Sequence, residues 1–201
     1  MVRRTADGGW ELVGLGASGP VPHLAKRLAL FGQFVGDWEI FPASDRPPGT
    51  AATRPIGEVH ARWVLGGTAV QDVWGPRDGR TGRLVPVGTT LRFFDASRKA
   101  WRSTWICPYA REARRFLGRK VGNEIVLEEL DRGRRGERWI FSEVTRTSFR
   151  WRAEVRSGNR GWRVNEEYRI RRVPPGPPGP VSGRGGPTRS RAASRSGTRG
   201  R

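Results

Sequence analysis

Ser148-Phe149-Arg150-Trp151-Arg152-Ala153-Glu154-Val155-Arg156, Gly158-Asn159 and Trp162-Arg163-Val164-Asn165-Glu166-Glu167-Tyr168-Arg169-Ile170-Arg171 read as two alternating runs around a turn dipeptide. Strict alternation of apolar and charged side chains is the mark of a half-buried strand, and Gly-Asn between two such runs marks a hairpin. A two-residue turn at Gly158-Asn159 pairs Val155 with Trp162, Ala153 with Val164, Trp151 with Glu166 and Phe149 with Tyr168. The other face then sets Glu154 against Arg163 and Arg150 against Glu167. One face is apolar and the other carries opposite charges across the strands, as a ladder with one buried face requires.

The same pattern extends through the middle of the chain. Strands are predicted at 34–41, 56–65, 68–75, 87–95, 100–107, 112–119, 123–130, 136–144, 147–156 and 161–171. Turn residues separate them, among them Pro47-Pro48-Gly49, Gly66-Gly67, Asp78-Gly79, Gly122-Asn123, Gly133 and Gly158-Asn159. Around Gly66-Gly67 the register pairs Trp63 with Val70, Ala61 with Asp72 and Val59 with Trp74. Trp101, Ser103, Trp105 and Cys107 share one face of their strand. Before the first strand, Leu24, Leu28 and Phe31 recur at helical spacing behind Pro22, which predicts a short helix over 22–32. Evenly spaced strands with no intervening helix make the fold all-β, a single closed antiparallel barrel of about ten strands.

Composition divides the 201 residues into three parts. Residues 1–21 are Gly-rich without apolar periodicity and are expected to be disordered; 22–173 form the barrel. From residue 174 to 201, Pro, Gly, Ser, Thr and Arg dominate, and such a segment buries too little apolar surface to offset its ordering entropy. The formal charge is +19, but the tail contributes Arg184, Arg189, Arg191, Arg195, Arg199 and Arg201. Only Lys26, Lys99 and Lys120 among the 38 basic residues are lysine, a bias that a GC-rich genome imposes on solvated positions. Cys107 is the single cysteine, so neither an intrachain disulfide nor a Cys-cluster metal site is available. No apolar run reaches transmembrane length and the N-terminus has no secretory h-region, which leaves a cytoplasmic protein as the expectation.

Gly36-Asp37-Trp38, Arg62-Trp63-Val64-Leu65-Gly66-Gly67, Val70-Gln71-Asp72-Val73-Trp74, Gly88-Thr89-Thr90-Leu91-Arg92-Phe93-Phe94-Asp95, Trp101 and Trp105 together resemble the calycin group of barrels. More narrowly, they look like a bacterial lipocalin-like family without an assigned function. The similarity spans roughly residues 24–173. It implies that Trp38 lies across the closed end of the barrel with a basic residue of the last strand, Arg169, Arg171 or Arg172, packed on its ring. A related haem-binding group takes an axial His from near its final strand. Here His23 and His60 are the only histidines, so no haem, other cofactor or metal is expected.

Asp72 and Glu166 fall on faces that otherwise read apolar, where a carboxylate needs a partner. Arg92, Ser103, Thr89 and Tyr168 are the candidates, although Thr89, Leu91 and Phe93 leave the inward side of the Arg92 strand open. Trp63, Trp74, Trp105, Trp139, Trp151 and Trp162 are read as interior, either stacking a flat ligand or filling the lumen. His60 shares a face with Glu58 and Arg62, which reads either as a polar cluster orienting a ligand or acting as an acid–base pair, or, as the favoured reading, as a solvated outer face. The expected function is non-enzymatic binding of a small, partly apolar ligand by Trp63, Asp72, Trp74, Arg92, Trp105, Trp151 and Glu166, with no catalytic or metal-binding residue. One alternative is an enzyme acting through the lumen carboxylates. The other is an RNA- or anion-binding module using the Arg-rich tail and the clusters at 111–120 and 132–138; nucleic acid is the disfavoured partner, and no membrane is expected.

Overall fold

A computed structural model of the chain describes residues 2–4, 10–12, 16–43, 54–131, 136–158 and 161–174. In chain order the elements are β1 (Val2–Arg4), β2 (Trp10–Leu12), β3 (Gly16–Ala17), a 3-10 turn (Pro22–Leu24), α1 (Ala25–Gly32), β4 (Gly36–Pro42), β5 (Gly57–Val64), β6 (Ala69–Pro76), β7 (Gly88–Asp95), β8 (Ala100–Cys107), β9 (Glu112–Val121), β10 (Glu124–Glu129), β11 (Glu137–Ser142), β12 (Ser148–Arg156) and β13 (Trp162–Arg172). Strands β4 to β13 each pair antiparallel with their sequence neighbours, and β13 pairs back onto β4. The result is a closed ten-strand up-and-down barrel, which leaves those strands no free edge. Within 1–21, read from composition as disordered, β1 pairs with β2, and β3 adds to β5 at Val64 and Trp63. The disorder expected of the C-terminal tail falls, beyond Pro174, outside the described residues.

Alternation builds the wall. On β12, Phe149 and Ala153 are buried inside, while Arg150 and Arg152 stand on the outer face. There Glu154 accepts hydrogen bonds from Arg138 at 2.6 Å and Arg152 at 2.7 Å, and Arg152 reaches Glu124 at 3.0 Å. Burial alone would raise the Glu154 pKa, but the two guanidiniums hold it below the ordinary carboxylate value.

The β5–β6 register agrees with expectation: Trp63 faces Val70, Ala61 faces Asp72 and Val59 faces Trp74. The C-terminal hairpin differs. Its strands leave the ladder after the Arg156–Trp162 pair, so the turn is longer than two residues, and Val155 opposes Arg163 rather than Trp162. A bulge then adds Asn165 to β13, so that Ala153 opposes Glu166, Trp151 opposes Tyr168 and Phe149 opposes Ile170. The bulge restores the inward face for Glu166 and Tyr168 but leaves Trp162 outside. The Trp162 ring is instead covered by Arg138 and Arg156, whose guanidinium carbons lie 4.4 and 5.3 Å from its centroid. The expectation of an interior Trp162 is thus corrected: cations, not core, shield its apolar surface.

One end of the barrel is plugged. Leu28 and Phe31 of α1 are fully buried, with Phe31 packed 4.9 Å from Trp101 and 5.8 Å from Phe141. Trp38 lies beneath, donating its indole N–H to the Phe34 carbonyl at 2.7 Å. Of the three candidate arginines, Arg172 stacks on Trp38 at 4.0 Å, whereas Arg171 lies over Phe41. Arg172 also donates to the carbonyls of Val35 and Gln33, each at 2.8 Å, and of Arg146 at 2.9 Å. Gly36, at φ 137°, is where the chain turns from helix to strand, and a Cβ there would collide with that guanidinium.

Candidate functional site in the barrel lumen

Between the plug and the far end of the barrel lies a cavity of about 270 Å³. Its floor is aromatic, formed by Phe31, Phe34, Trp38 and Phe149. Its mouth is set by the strand ends opposite α1: Cys107 closing β8, Glu112 opening β9, Glu137 opening β11, and Glu166 on β13.

Midway down, Asp72 and Arg92 form an ion pair with both residues more than nine-tenths buried. Asp72 also accepts the Thr90 backbone N–H at 3.1 Å. The Arg92 guanidinium lies 5.3 Å from the Phe31 ring and 6.0 Å from that of Phe141, which fixes the inward direction that its own strand left open. Its Nε finds no hydrogen-bond partner among the described residues, nor does the hydroxyl of Ser103, its buried cross-strand neighbour on β8. Both are buried polar groups with an unused hydrogen-bonding position beside the ion pair.

Above this pair the wall is a run of rings. Trp74 and Trp105 lie 6.3 Å apart, Trp105 and Trp139 5.9 Å, Trp139 and Trp151 5.7 Å, and Trp151 stacks on Tyr168 at 5.8 Å. Trp105 lies across β7 where Gly88 leaves space; a Cβ at that position would overlap its ring. The run is continuous because β6, β8, β11, β12 and β13 each turn one aromatic inward at the same height.

The mouth is polar and charged. Arg114 donates to Glu129 and pairs with Glu137, both at 2.9 Å, while Glu137 accepts the Trp139 indole N–H at 2.5 Å. Burial opposes the charge on Arg114, but hydrogen bonds to both glutamates push its pKa above the ordinary value. Glu166 is exposed at the mouth and accepts the Tyr168 hydroxyl. Burial, with Glu166 beside it, raises the Tyr168 pKa and keeps that hydroxyl protonated.

Of the residues named from sequence, Asp72, Trp74, Arg92, Trp105, Trp151 and Glu166 line this cavity. Trp63 does not; its ring is buried under α1 against Gly32. Trp139 lines the cavity, as one of the tryptophans read as interior. Glu112, Arg114 and Glu137 were missed. Arg114 had been grouped with its basic neighbours at a turn, although Glu112, Arg114 and Phe116 share a face of β9 and Phe116 is fully buried. The basic clusters are partly neutralised: Arg115 pairs with Asp131 at 2.6 Å and Arg138 with Glu154, while Arg132, Arg134 and Arg135 lie outside the described residues. His60 sits on the outer wall, held by Asp37 at 2.6 Å and Glu58 at 2.8 Å.

Among the described residues no group of three His, Cys, Asp or Glu side chains could hold a metal ion, and no helix is long and apolar enough to cross a membrane. No protein-family model matches the chain, and no curated protein matches it either.

Proposed function

We propose that the barrel is a calycin-type binding protein that takes a small, partly apolar molecule into its lumen. The observation that carries this reading is the aromatic-lined cavity of about 270 Å³, floored by the plug and equipped with a few convergent polar groups. Small-molecule sites have this make-up, and the volume falls just below their usual range of roughly 300–1,000 Å³, which suits a small ligand. The resemblance of residues 24–173 to the calycin group supports the same reading, because in a closed barrel the interior is the protected concave surface.

The test is a fluorescence titration with N-phenyl-1-naphthylamine, a neutral apolar probe. Saturable enhancement at one probe per chain is expected, and it should vanish in Val59→Trp, which fills the lumen from its wall while circular dichroism confirms the fold. A folded protein that does not bind the probe, or binds it equally well with the lumen filled, overturns the reading.

A further inference from the structure

The charges of the lumen are unequal, and the inequality bears on the ligand. Four carboxylates line the cavity, Asp72, Glu112, Glu137 and Glu166, against two guanidiniums, Arg92 and Arg114. The net is two negative charges inside a chain whose formal charge is +19. Both guanidiniums are committed, Arg92 to Asp72 and Arg114 to Glu129 and Glu137. Glu112 and Glu166 make no ion pair among the described residues, and both are exposed at the mouth. An anionic ligand would enter past these two carboxylates and find each arginine already neutralised.

The aromatic run adds a second, independent preference. Trp105, Trp139, Trp151 and Tyr168 form a wall of rings just below those carboxylates. The electron-rich ring face attracts cations, and aromatic walls joined to carboxylates are how proteins hold ammonium groups that carry no directed hydrogen bond. Deeper, Val59, Val70 and Phe149 offer apolar surface beside the mutually neutralised Asp72–Arg92 pair.

Resting on the lumen-binding reading, we infer that the ligand is a small organic cation, a quaternary or protonated amine with an apolar substituent. Its positive head sits among the Trp105, Trp139, Trp151 and Tyr168 rings beneath Glu112 and Glu166, and its apolar part points down toward Val59 and Phe149. Tyr168 helps by donating to Glu166 without neutralising it.

The experiment is calorimetric titration of the full chain with three compounds of one shape: benzyltrimethylammonium, its uncharged carbon isostere neopentylbenzene, and phenylmethanesulfonate. The cation is expected to bind at least about tenfold more tightly than the isostere, and the sulfonate not at all. Glu166→Gln and Glu112→Gln, exposed positions that leave the fold intact, should each weaken the cation about threefold or more and leave the isostere unchanged. Trp151→Leu should weaken the cation more than the isostere. Equal or tighter binding of the isostere, binding of the sulfonate, or glutamine variants that do not discriminate would overturn the inference. If N-phenyl-1-naphthylamine enters the lumen but the cation does not, this inference alone fails; if neither binds, the lumen-binding reading fails with it.

Discussion

Arg92 and Asp72 are each more than nine-tenths buried, and each is tolerable in the lumen only because of the other. Breaking such a pair from one side leaves a charge without water or counter-ion, whereas removing both sides is far milder. Arg92→Met should therefore lower the unfolding free energy by about 3–5 kcal/mol in urea titrations. The double variant with Asp72→Leu should recover most of that loss, short of the part due to the Thr90 N–H, which loses its acceptor. A double variant as unstable as the single one would mean that the pair is not what holds these residues in place. At this scale the sequence was informative about Asp72, whose face was fixed by the Gly66-Gly67 register. It named Arg92 as a candidate partner but left its direction open, because Phe93 beside it is apolar yet 43% exposed on the outer wall. Trp63 illustrates the converse: alternation turned it inward correctly, but nothing local says that α1 covers it.

At the level of elements, strand positions were legible because each strand alternates over several residues and ends at a residue with turn chemistry. The Asn165 bulge was not. A single inserted residue leaves both flanking patterns intact, and Trp162 gave an apolar match at the wrong register because its cover on the outer wall is two arginines. The junction of α1 with β4 and β13 is where one side chain links the elements. Arg172 bridges the carbonyls after the helix, the Arg146 carbonyl and the Trp38 ring. Arg172→Ala should destabilise the fold by about 1–3 kcal/mol. Arg172→Lys should recover only a fraction, since an ammonium cannot span three carbonyls and a ring as a planar fork does. Chemical denaturation followed by Trp fluorescence measures both, and full rescue by lysine would show that charge rather than geometry matters here.

For the whole molecule, closure makes stability a property shared around the ring, so a local clasp between β4 and β5 is read out globally. His60 is such a clasp, with both ring nitrogens against carboxylates. Burial by itself would lower the His60 pKa, but hydrogen bonds to Asp37 and Glu58, reinforced by their charges, raise it above the ordinary histidine value. Asp37 moves the other way: burial would raise it, while His60 and Arg62 hold it down. A raised histidine contributes stability that is complete below its unfolded pKa, about 6.5, and is lost as pH rises through the folded value. A lowered aspartate contributes stability that is present above its unfolded pKa, about 3.9, and is lost as pH falls through the folded one. The clasp is therefore strongest between about pH 4 and 6.5. Among the described groups that the fold displaces, only His60 has its ordinary value between about pH 6 and 9, and its displacement is upward. The urea midpoint should fall across that interval, by less than about 1 kcal/mol in free energy because a third of the imidazole side chain is exposed. His60→Gln should flatten the fall, leaving Asp37 paired with Arg62 and Glu58 with Arg77. A wild-type midpoint that is level from pH 6 to 9, or a slope that survives in His60→Gln, would assign the alkaline limb to some group other than this clasp.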